Sequence, residues 1–254
     1  MTTTVKKLFV LPAGYGMVRE YFVNIDLGAG SDKMVYFPLC IYLLETGNGL
    51  ILIDTGFPEA FIGRPDYYNG KSLEGLMYPY MKEEHRIPAL LSTVGYRPED
   101  ISLVISTHFH SDHSGGHKYF PSTPILVQKN ELTVLDNEDY SPSECRLKDM
   151  NYQVIDGDYQ LNNSISLIYT PGHSPGHQSL LIGTERSGYV LLCIDAALTV
   201  GIFKRNTPYF AAEPDNATAS LNKLKAIAAE YKPLILYGHD EEQANGWKVY
   251  PEYY

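Results

Sequence analysis

The sequence predicts a layered α/β sandwich, and three features of the chain support this prediction. Short apolar runs rich in β-branched residues recur between turn signals, as is typical of buried strands. Segments in which apolar residues recur at helical spacing interrupt these runs. No linker rich in proline, glycine and serine divides the 254 residues, so we expect one domain over residues 1–254.

The predicted elements alternate along the whole chain. Strands are expected near 5–11, 36–46, 49–54, 101–107, 123–128, 164–169, 188–195 and 233–237. The clearest helix is 216–231, where Ala217, Leu221 and Leu224 recur at helical spacing after Asp215, the expected N-cap. Further helices are predicted near 84–95, 113–119 and 129–137. The loop at 60–83 is long for a compact domain, and such loops commonly form lids or binding surfaces.

Charge and composition narrow the class of partner. The formal net charge of -10 disfavours nucleic acid and anionic membranes, because both bind basic patches. The apolar run Leu8–Leu11 is too short for a secretory signal or a membrane span. The three cysteines lack CxxC spacing, which predicts neither a disulfide framework nor a thiolate metal site and favours a cytoplasmic location. We therefore expect a small-molecule substrate and a monomer or homodimer.

The densest group of candidate metal ligands follows the predicted strand 101–107. His108, His110, Asp112 and His113 lie within six residues. In an extended loop the first two histidines point the same way and can bind one cation. The other two residues lie where a helix starts and can turn towards a second cation. Imidazole and carboxylate suit Zn²⁺, and they also accept Fe²⁺, Mn²⁺ or Co²⁺. The alternative is a polar surface loop with incidental histidines, which this density disfavours.

Three further candidate ligands each lie just beyond a predicted strand. Taken singly, His173, Asp195 and His239 could be hydrogen-bonded turn residues. Taken together they predict a two-metal site, because functional groups of layered α/β proteins gather where strand ends converge. A carboxylate such as Asp195 is the natural bridge between cations roughly 3.5–4 Å apart. We expect Asp54 either to accept the N–H of a ligating histidine or to cap a turn. The other histidines are expected at the surface or behind the ligands: His85, His117 and His177.

This ligand pattern, together with Asp54-Thr-Gly56, resembles that of the metallo-β-lactamase superfamily. Within that superfamily the chain is similar, nearly end to end, to the N-acyl-homoserine lactone lactonases, which quench bacterial quorum signals. The segments that carry this similarity are Leu11–Gly14, Tyr169–Gln178, Tyr237–Asp240 and Val249–Glu252. The resemblance implies an αββα sandwich with two metal ions. It implies one ion on His108, His110 and His173, the other on Asp112, His113 and His239, and Asp195 between them.

The activity that the resemblance implies is opening of the lactone ring of N-acyl-homoserine lactones by a metal-bridging hydroxide. Asp112 and Asp195 are the expected catalytic carboxylates. The residues expected to contact the substrate are Met17, Tyr21, Phe22, Phe109, Leu198 and Phe210. Core packing is the alternative role for the aromatic residues and Met17. Many of these lactonases have a tyrosine where this chain has Leu198, and it assists at the substrate carbonyl or the leaving oxygen. Here a hydroxyl from another loop, for instance Tyr209 or Tyr15, or a metal-bound water replaces it, or nothing does.

Several alternative functions share the same fold. A phosphodiesterase acting on nucleic acid should show basic clusters, and a periplasmic β-lactamase should show a signal peptide. A di-iron oxygen reductase normally has glutamate in place of His110 and an attached flavin domain. The alternatives left open are hydrolysis of another small lactone, as by a pyridoxolactonase, or of a thioester, as by glyoxalase II. A non-catalytic metal-binding protein would hold metal without turning over any ester.

Overall fold

The structure is a computed structural model that describes residues 4–23, 31–138, 140–205 and 211–254. Its strands are β1 (Val5–Arg19), β2 (Met34–Thr46), β3 (Gly49–Ile53), β4 (Met77–Tyr80), β5 (Ile101–Ile105), β6 (Ile125–Gln128), β7 (Tyr152–Ile155), β8 (Tyr159–Asn162), β9 (Ile165–Tyr169), β10 (Gln178–Thr184), β11 (Gly188–Ile194) and β12 (Leu234–Tyr237). Its helices are α1 (Ile87–Thr93), α2 (Ser111–Ser114), α3 (Val200–Arg205), α4 (Pro214–Tyr231) and α5 (Glu241–Ala244). None of the helices described is long and apolar enough to cross a membrane.

The strands form two halves that meet along one short edge. In the first half the order is β7-β6-β5-β3-β2-β1, with β4 also beside β1. In the second half β12, β11 and β10 are neighbours, and β9 and β8 continue from β10. The halves join where β1 and β10 run parallel at one register pair, Val5 with Thr184. This narrow connection allows the two halves to stack as separate layers.

The faces of the strands define these layers. Tyr42 and Leu44 of β2 lie in one buried cluster with Leu180 and Ile182 of β10, so this cluster fills the space between the halves. Successive side chains of a strand point to opposite faces of the sheet. The residues between the four just named therefore point outward to the helices. Leu43 packs in a cluster with Leu90 and Leu91 of α1. Leu181 packs in a cluster with Leu221 and Leu224 of α4. The order helix, sheet, sheet, helix is the predicted αββα sandwich, which is confirmed.

Helix α4 illustrates how the sequence determines an element and its ends. Ala217, Leu221 and Leu224 are buried on one face, as their spacing predicts. The predicted N-cap at Asp215 is wrong, because the helix begins at Pro214 and its N-cap is Glu213. Proline suits a first helical position because its φ is fixed near the helical value and no N–H is needed there. The helix ends at Tyr231 and is capped by Lys232, which has φ of 49° and donates its N–H to the Ala228 carbonyl.

The predicted strands are confirmed in place, and the differences from the prediction have physical causes. β1 continues to Arg19 through Pro12 and Gly14, where a register shift absorbs these turn-forming residues. β10 begins with buried polar residues and therefore resembles a loop in sequence. β4, β7 and β8 are only four residues each, too short for a periodic pattern. The predicted helices at 84–95, 113–119 and 129–137 are partly or wholly 3-10 turns.

The layer between the halves gives a direct test of the fold. We expect Leu180→Ala to lower the free energy of unfolding by about 2–5 kcal/mol, because it leaves a cavity in a closely packed core. Leu234→Ala is the matched control, since Leu180 is 0% exposed and Leu234 is 41% exposed. The control should change stability by less than about 0.5 kcal/mol. Urea unfolding of the metal-loaded proteins measures both changes. Equal losses in the two variants would contradict this packing.

Candidate metal centre

The candidate ligands lie where four strands end. The 108–113 segment follows β5, His173 follows β9, Asp195 follows β11 and His239 follows β12. The backbone at Ile194, just before Asp195, has φ of 50°, a left-handed conformation that β-branched residues rarely adopt. Surrounding contacts must hold such a residue in place, and strained positions of this kind cluster at functional sites. The topology therefore brings ligands from both halves of the sandwich to one edge.

Four of these residues form the first ligand group. The candidate ligand atoms of His108, His110, His173 and Asp195 all lie within 4.8 Å of one another. Nε2 of His108 is 3.0 Å from Nδ1 of His110, which is 2.8 Å from Nε2 of His173. Nε2 of His173 is in turn 3.1 Å from Oδ2 of Asp195. Three imidazole nitrogens and one carboxylate oxygen thus converge on one point.

Asp112, His113 and His239 form the second ligand group. Oδ2 of Asp112 lies 3.4 Å from Nε2 of His113 and 3.7 Å from Nε2 of His239. The other oxygen of Asp195, Oδ1, lies 3.4 Å and 3.1 Å from the same two nitrogens. Asp195 therefore turns Oδ2 towards the first group and Oδ1 towards the second. This is the geometry required of a carboxylate that bridges two cations.

Hydrogen bonds behind the ligands fix the orientation of their rings. Nδ1 of His113 lies 2.8 Å from Oδ2 of Asp54, and Nδ1 of His239 lies 2.8 Å from the carbonyl oxygen of Pro38. Asp54 also accepts the backbone N–H and the hydroxyl of Thr107, each at 2.8 Å. A ring that donates from Nδ1 has its Nε2 lone pair free for a cation. Asp54 thus lies where the outer-shell role would require it.

The electrostatics of the buried rings fit a cation. Burial, reinforced by the neighbouring histidines, lowers the pKa of His108 well below its usual value and that of His110 to about 3. These rings are therefore neutral, which is the form that binds metals. Burial also opposes a charge on His113, but the carboxylates of Asp112, Asp195 and Asp54 raise its pKa well above the usual value. The second group thus attracts a positive charge, which a bound metal ion supplies.

An unsatisfied atom supports the same conclusion. Nε2 of His113 is buried and has no hydrogen-bond partner in the part of the chain that the structure describes. Buried polar atoms are nearly always satisfied, so an orphaned ring nitrogen within a ligand cluster is suited to bind a cation. Imidazole and carboxylate are the donors that divalent transition metals prefer. The residues present therefore fit a divalent metal centre.

A buried carboxylate that the sequence analysis missed joins two of the ligand loops. Glu131 lies at 0% exposure and accepts four hydrogen bonds. Phe109 sits inside the 108–113 segment and Ser174 follows His173, so the carboxylate holds both loops together. The four donors are the backbone N–H of Phe109 at 2.8 Å, the hydroxyl of Tyr140 at 2.6 Å, the hydroxyl of Ser174 at 2.7 Å and the backbone N–H of Gly176 at 2.8 Å. A single glutamate in a polar helical segment carries no sequence signal of this role.

A cavity of about 620 Å³ opens over the centre, and His110, Asp112, His173 and Asp195 form part of its lining. Its apolar lining includes Val18, Phe22, Phe37, Leu73, Met77 and Leu198. The lining side chains with hydroxyl or charged groups include Tyr68, Ser111, Tyr140 and Arg146. Several of these residues come from the loop at 60–83, which the sequence singled out as a candidate lid or binding surface. The cavity therefore combines an apolar surface with polar groups beside the ligands.

Of the residues expected to contact the substrate, some line the cavity and others do not. Phe22 and Leu198 line the cavity. Tyr21 does not line it, although its ring packs against Phe22. The prediction for Met17 is corrected by strand geometry. Val18 lines the cavity, and Met17, the residue before it in β1, therefore points to the other face. The prediction for Phe109 is also corrected, since its ring is fully buried in a cluster with Val127, Val134 and Leu135.

The remaining expectations concern hydroxyls and histidines. Tyr15 is not part of the cavity lining, and its ring stacks on Tyr80 with centroids 4.8 Å apart. Phe210 and Tyr209 lie outside the described residues.

A surface position is wrong for both His117 and His177, which are fully buried. His177 supports the centre from behind, because its Nε2 accepts the backbone N–H of Asp195 at 3.0 Å. His85 is half-buried and its Nδ1 accepts the backbone N–H of Lys82 at 3.2 Å.

Comparisons with known proteins show which family this chain is similar to. A family model described as the metallo-beta-lactamase superfamily matches residues 40–239. The N-acyl homoserine lactonase AiiA of Bacillus thuringiensis subsp. kurstaki is 46% identical over 251 residues, which cover 98% of this chain and 99% of that protein. The N-acyl homoserine lactonase AttM of Azorhizobium caulinodans is 26% identical over 261 residues, with 98% of each chain covered.

Solved structures show the same similarity in three dimensions. An N-acyl homoserine lactone hydrolase with the product N-hexanoyl-L-homoserine at its catalytic metal centre superimposes with a TM-score of 0.95. It is 44% identical, and the match covers 99% of this chain and 100% of that one. A variant of AiiA from B. thuringiensis with N-decanoyl-L-homoserine at its active site gives the same TM-score of 0.95 at 44% identity.

The role of Glu131 in joining the ligand loops can be tested. Glu131→Gln places an amide N–H₂ where donors now point, so we expect the free energy of unfolding of the metal-free protein to fall by about 1–3 kcal/mol. Metal affinity should fall about tenfold to a hundredfold, as is typical when a group that orients ligands is changed. Competition with a chromophoric chelator measures the affinity. Glu99→Gln, at an exposed carboxylate, is the control. Unchanged affinity in Glu131→Gln would refute the role.

Proposed function

The chain belongs to the metallo-β-lactamase superfamily, and from this premise we propose that it is a metal-dependent hydrolase that opens the lactone ring of N-acyl-homoserine lactones. Water adds to the lactone carbonyl, the ring C–O bond breaks, and the product is the open-chain hydroxy acid. The observation that carries the proposal is the position of Asp195, whose two oxygens face two ligand groups beside a cavity of about 620 Å³. The nearly full-length similarity to N-acyl homoserine lactonases supports the choice of substrate.

We propose two divalent metal ions as cofactors, with Zn²⁺ as the ion and Fe²⁺, Mn²⁺ or Co²⁺ as ions that the same donors accept. His108, His110 and His173 would hold one ion and Asp112, His113 and His239 the other, with Asp195 shared by both. When bound, such ions polarise carbonyl oxygens and make water more acidic.

The protein's own residues supply orientation and proton transfer. Asp195 fixes the spacing of the two ligand groups, and Asp54 and Glu131 hold the rings and loops around it. Asp112 both belongs to the second group and lines the cavity. Its carboxylate can therefore accept a proton from the attacking water and deliver it to the departing ring oxygen, which needs one to become a hydroxyl.

The apolar part of the cavity suits the acyl chain of the substrate. Phe22, Phe37 and Leu198 present carbon surfaces beside the ligand residues. Each buried CH₂ of a chain contributes about 0.8 kcal/mol to binding, so affinity should rise with chain length while the cavity accommodates it. A volume of about 620 Å³ is typical of small-molecule sites, which span about 300–1,000 Å³.

We also propose that residues 1–254 act as one hydrolase domain with a small-molecule lactone as its substrate. The cytoplasmic location and the monomeric or homodimeric state stay predictions from the sequence.

The reaction itself is tested by the mass of the product. We expect the metal-loaded protein to convert an N-acyl-homoserine lactone into a single product one water heavier, because ring opening adds water without releasing a fragment. Liquid chromatography with mass detection identifies the product. Protein stripped by a chelator should be inactive and should recover when Zn²⁺ is restored. Release of a fatty acid and homoserine lactone would show that the enzyme is an acylase instead.

The shared role of Asp195 is tested by metal content. We expect the active protein to hold about two equivalents of metal, because two ligand groups need two ions. Asp195→Ala should lower occupancy of both sites, since each group loses one oxygen. Elemental analysis after removal of free metal measures the content, and Asp149→Ala, at an exposed carboxylate, should keep the wild-type value. One equivalent or less in fully active protein would contradict the two-metal proposal.

A further inference from the structure

A pair of buried hydroxyls lies in the cavity beside the ligand residues. The hydroxyl oxygen of Tyr68 and Oγ of Ser111 are 2.9 Å apart, and either can donate to the other. Both residues are 6% exposed, and both line the cavity. Ser111 begins α2 and stands between His110 and Asp112, one residue from each of the two ligand groups. The pair is therefore next to the reacting end of whatever the cavity binds.

One of the two hydroxyl protons of this pair is not used in the hydrogen bond between them. Two hydroxyls carry two protons, and the hydrogen bond between them uses one. Across residues 4–23, 31–138, 140–205 and 211–254, neither oxygen has a second hydrogen-bond partner. A buried donor without an acceptor is unfavourable, so the remaining O–H needs a partner in the cavity. The pair therefore has one O–H group that can donate a hydrogen bond to a bound ligand.

The other tyrosine hydroxyls of the cavity, at Tyr67 and Tyr140, do not offer the same donor. The hydroxyl of Tyr140 donates to Glu131 Oε1 at 2.6 Å, and that of Tyr67 donates to Glu144 Oε2 at 3.3 Å. Leu198 lines the cavity but has no polar atom on its side chain.

The shared hydrogen bond can run in either direction. Burial raises the pKa of Tyr68, so its phenol keeps its proton. When the phenol donates to Oγ of Ser111, the proton of Ser111 is the one left for the cavity, and this arrangement places a donor between His110 and Asp112.

We propose that the Ser111 hydroxyl donates a hydrogen bond to the reacting oxygen of the bound lactone, and that Tyr68 positions it. This inference rests on the proposed lactone hydrolysis. Negative charge grows on the reacting oxygens in the transition state, so a hydrogen bond made there strengthens as the reaction proceeds. Such a bond raises kcat more than it lowers KM. Ser111 is thus a catalytic residue, and Tyr68 is a positioning residue that acts through it.

Steady-state kinetics on Ser111→Ala, Tyr68→Phe and the double variant test the proposal. We expect Ser111→Ala to lower kcat about a hundredfold, the lower end of the loss of one such donor. KM should change less than about threefold, because the bond strengthens only in the transition state. Tyr68→Phe should lower kcat about tenfold through misplacement of the serine hydroxyl. In the Ser111→Ala background, Tyr68→Phe should have no further effect, because the tyrosine then has no serine hydroxyl to position.

Matched variants separate this role from a structural one. Ser111→Thr keeps a hydroxyl and should retain kcat within about fivefold of wild type, well above the Ser111→Ala value. Tyr96→Phe and Ser102→Ala remove hydroxyls whose hydrogen bonds go to Glu45 and to the Leu50 carbonyl, and they should leave kcat unchanged. Bound metal and the unfolding midpoint are measured for every variant. If Ser111→Ala loses metal, Tyr68→Phe decides the question by itself, since its hydroxyl touches no candidate ligand.

Three results would overturn the proposal. An unchanged kcat in metal-loaded Ser111→Ala or in Tyr68→Phe would show that the pair does not act on the reaction. A rise in KM alone would place the hydrogen bond on a part of the substrate that does not react. Additive effects in the double variant would show that Tyr68 does not act through Ser111. Absence of lactone opening by the wild-type protein would instead refute the proposed function, and this inference with it.

Discussion

The shared carboxylate of Asp195 is the constraint on which the rest of the structure depends. Its two oxygens can face two ligand groups only if four strand ends from both halves of the sandwich converge within a few ångströms. The two layers join through a single register pair between β1 and β10, so their edges are free to approach at the site. The left-handed backbone at Ile194 then turns the carboxylate into the space between the groups. The stacking of the two halves therefore determines where the ligand residues meet.

The buried polar residues around the centre explain how it is held rigid. Two carboxylates that are not candidate ligands, Asp54 and Glu131, have hydrogen bonds to both oxygens, so neither is left as an uncompensated buried charge. His177 holds the backbone of Asp195 in the same way. Hydrogen bonds of this kind limit the movement of buried side chains. The rings of His113 and His239 are thus held from behind, with Nε2 of each directed to the centre.

Sequence reasoning found what local patterns encode and missed what depends on contacts between distant segments. The 108–113 segment is dense enough to be recognised alone, and the layered fold follows from apolar periodicity. The contacts of Glu131 and Tyr68 have no local signal, because each acts on residues far away in the chain. For His177 the sequence leaves two alternatives, the surface or a place behind the ligands, and the structure has the second. The prediction that Phe109 and Met17 contact the substrate is wrong, because strand and loop geometry turn both away from the cavity. The direction in which a side chain points depends on the tertiary structure, and the neighbouring sequence alone does not determine it.

The most direct test of the central claim is the anomalous X-ray scattering of crystals grown with the metal-loaded protein. Data collected on both sides of the metal absorption edge locate each ion without reference to activity. The account predicts two peaks roughly 3.5–4 Å apart, with one oxygen of Asp195 bound to each. A single peak, or two peaks of which only one contacts Asp195, would contradict it.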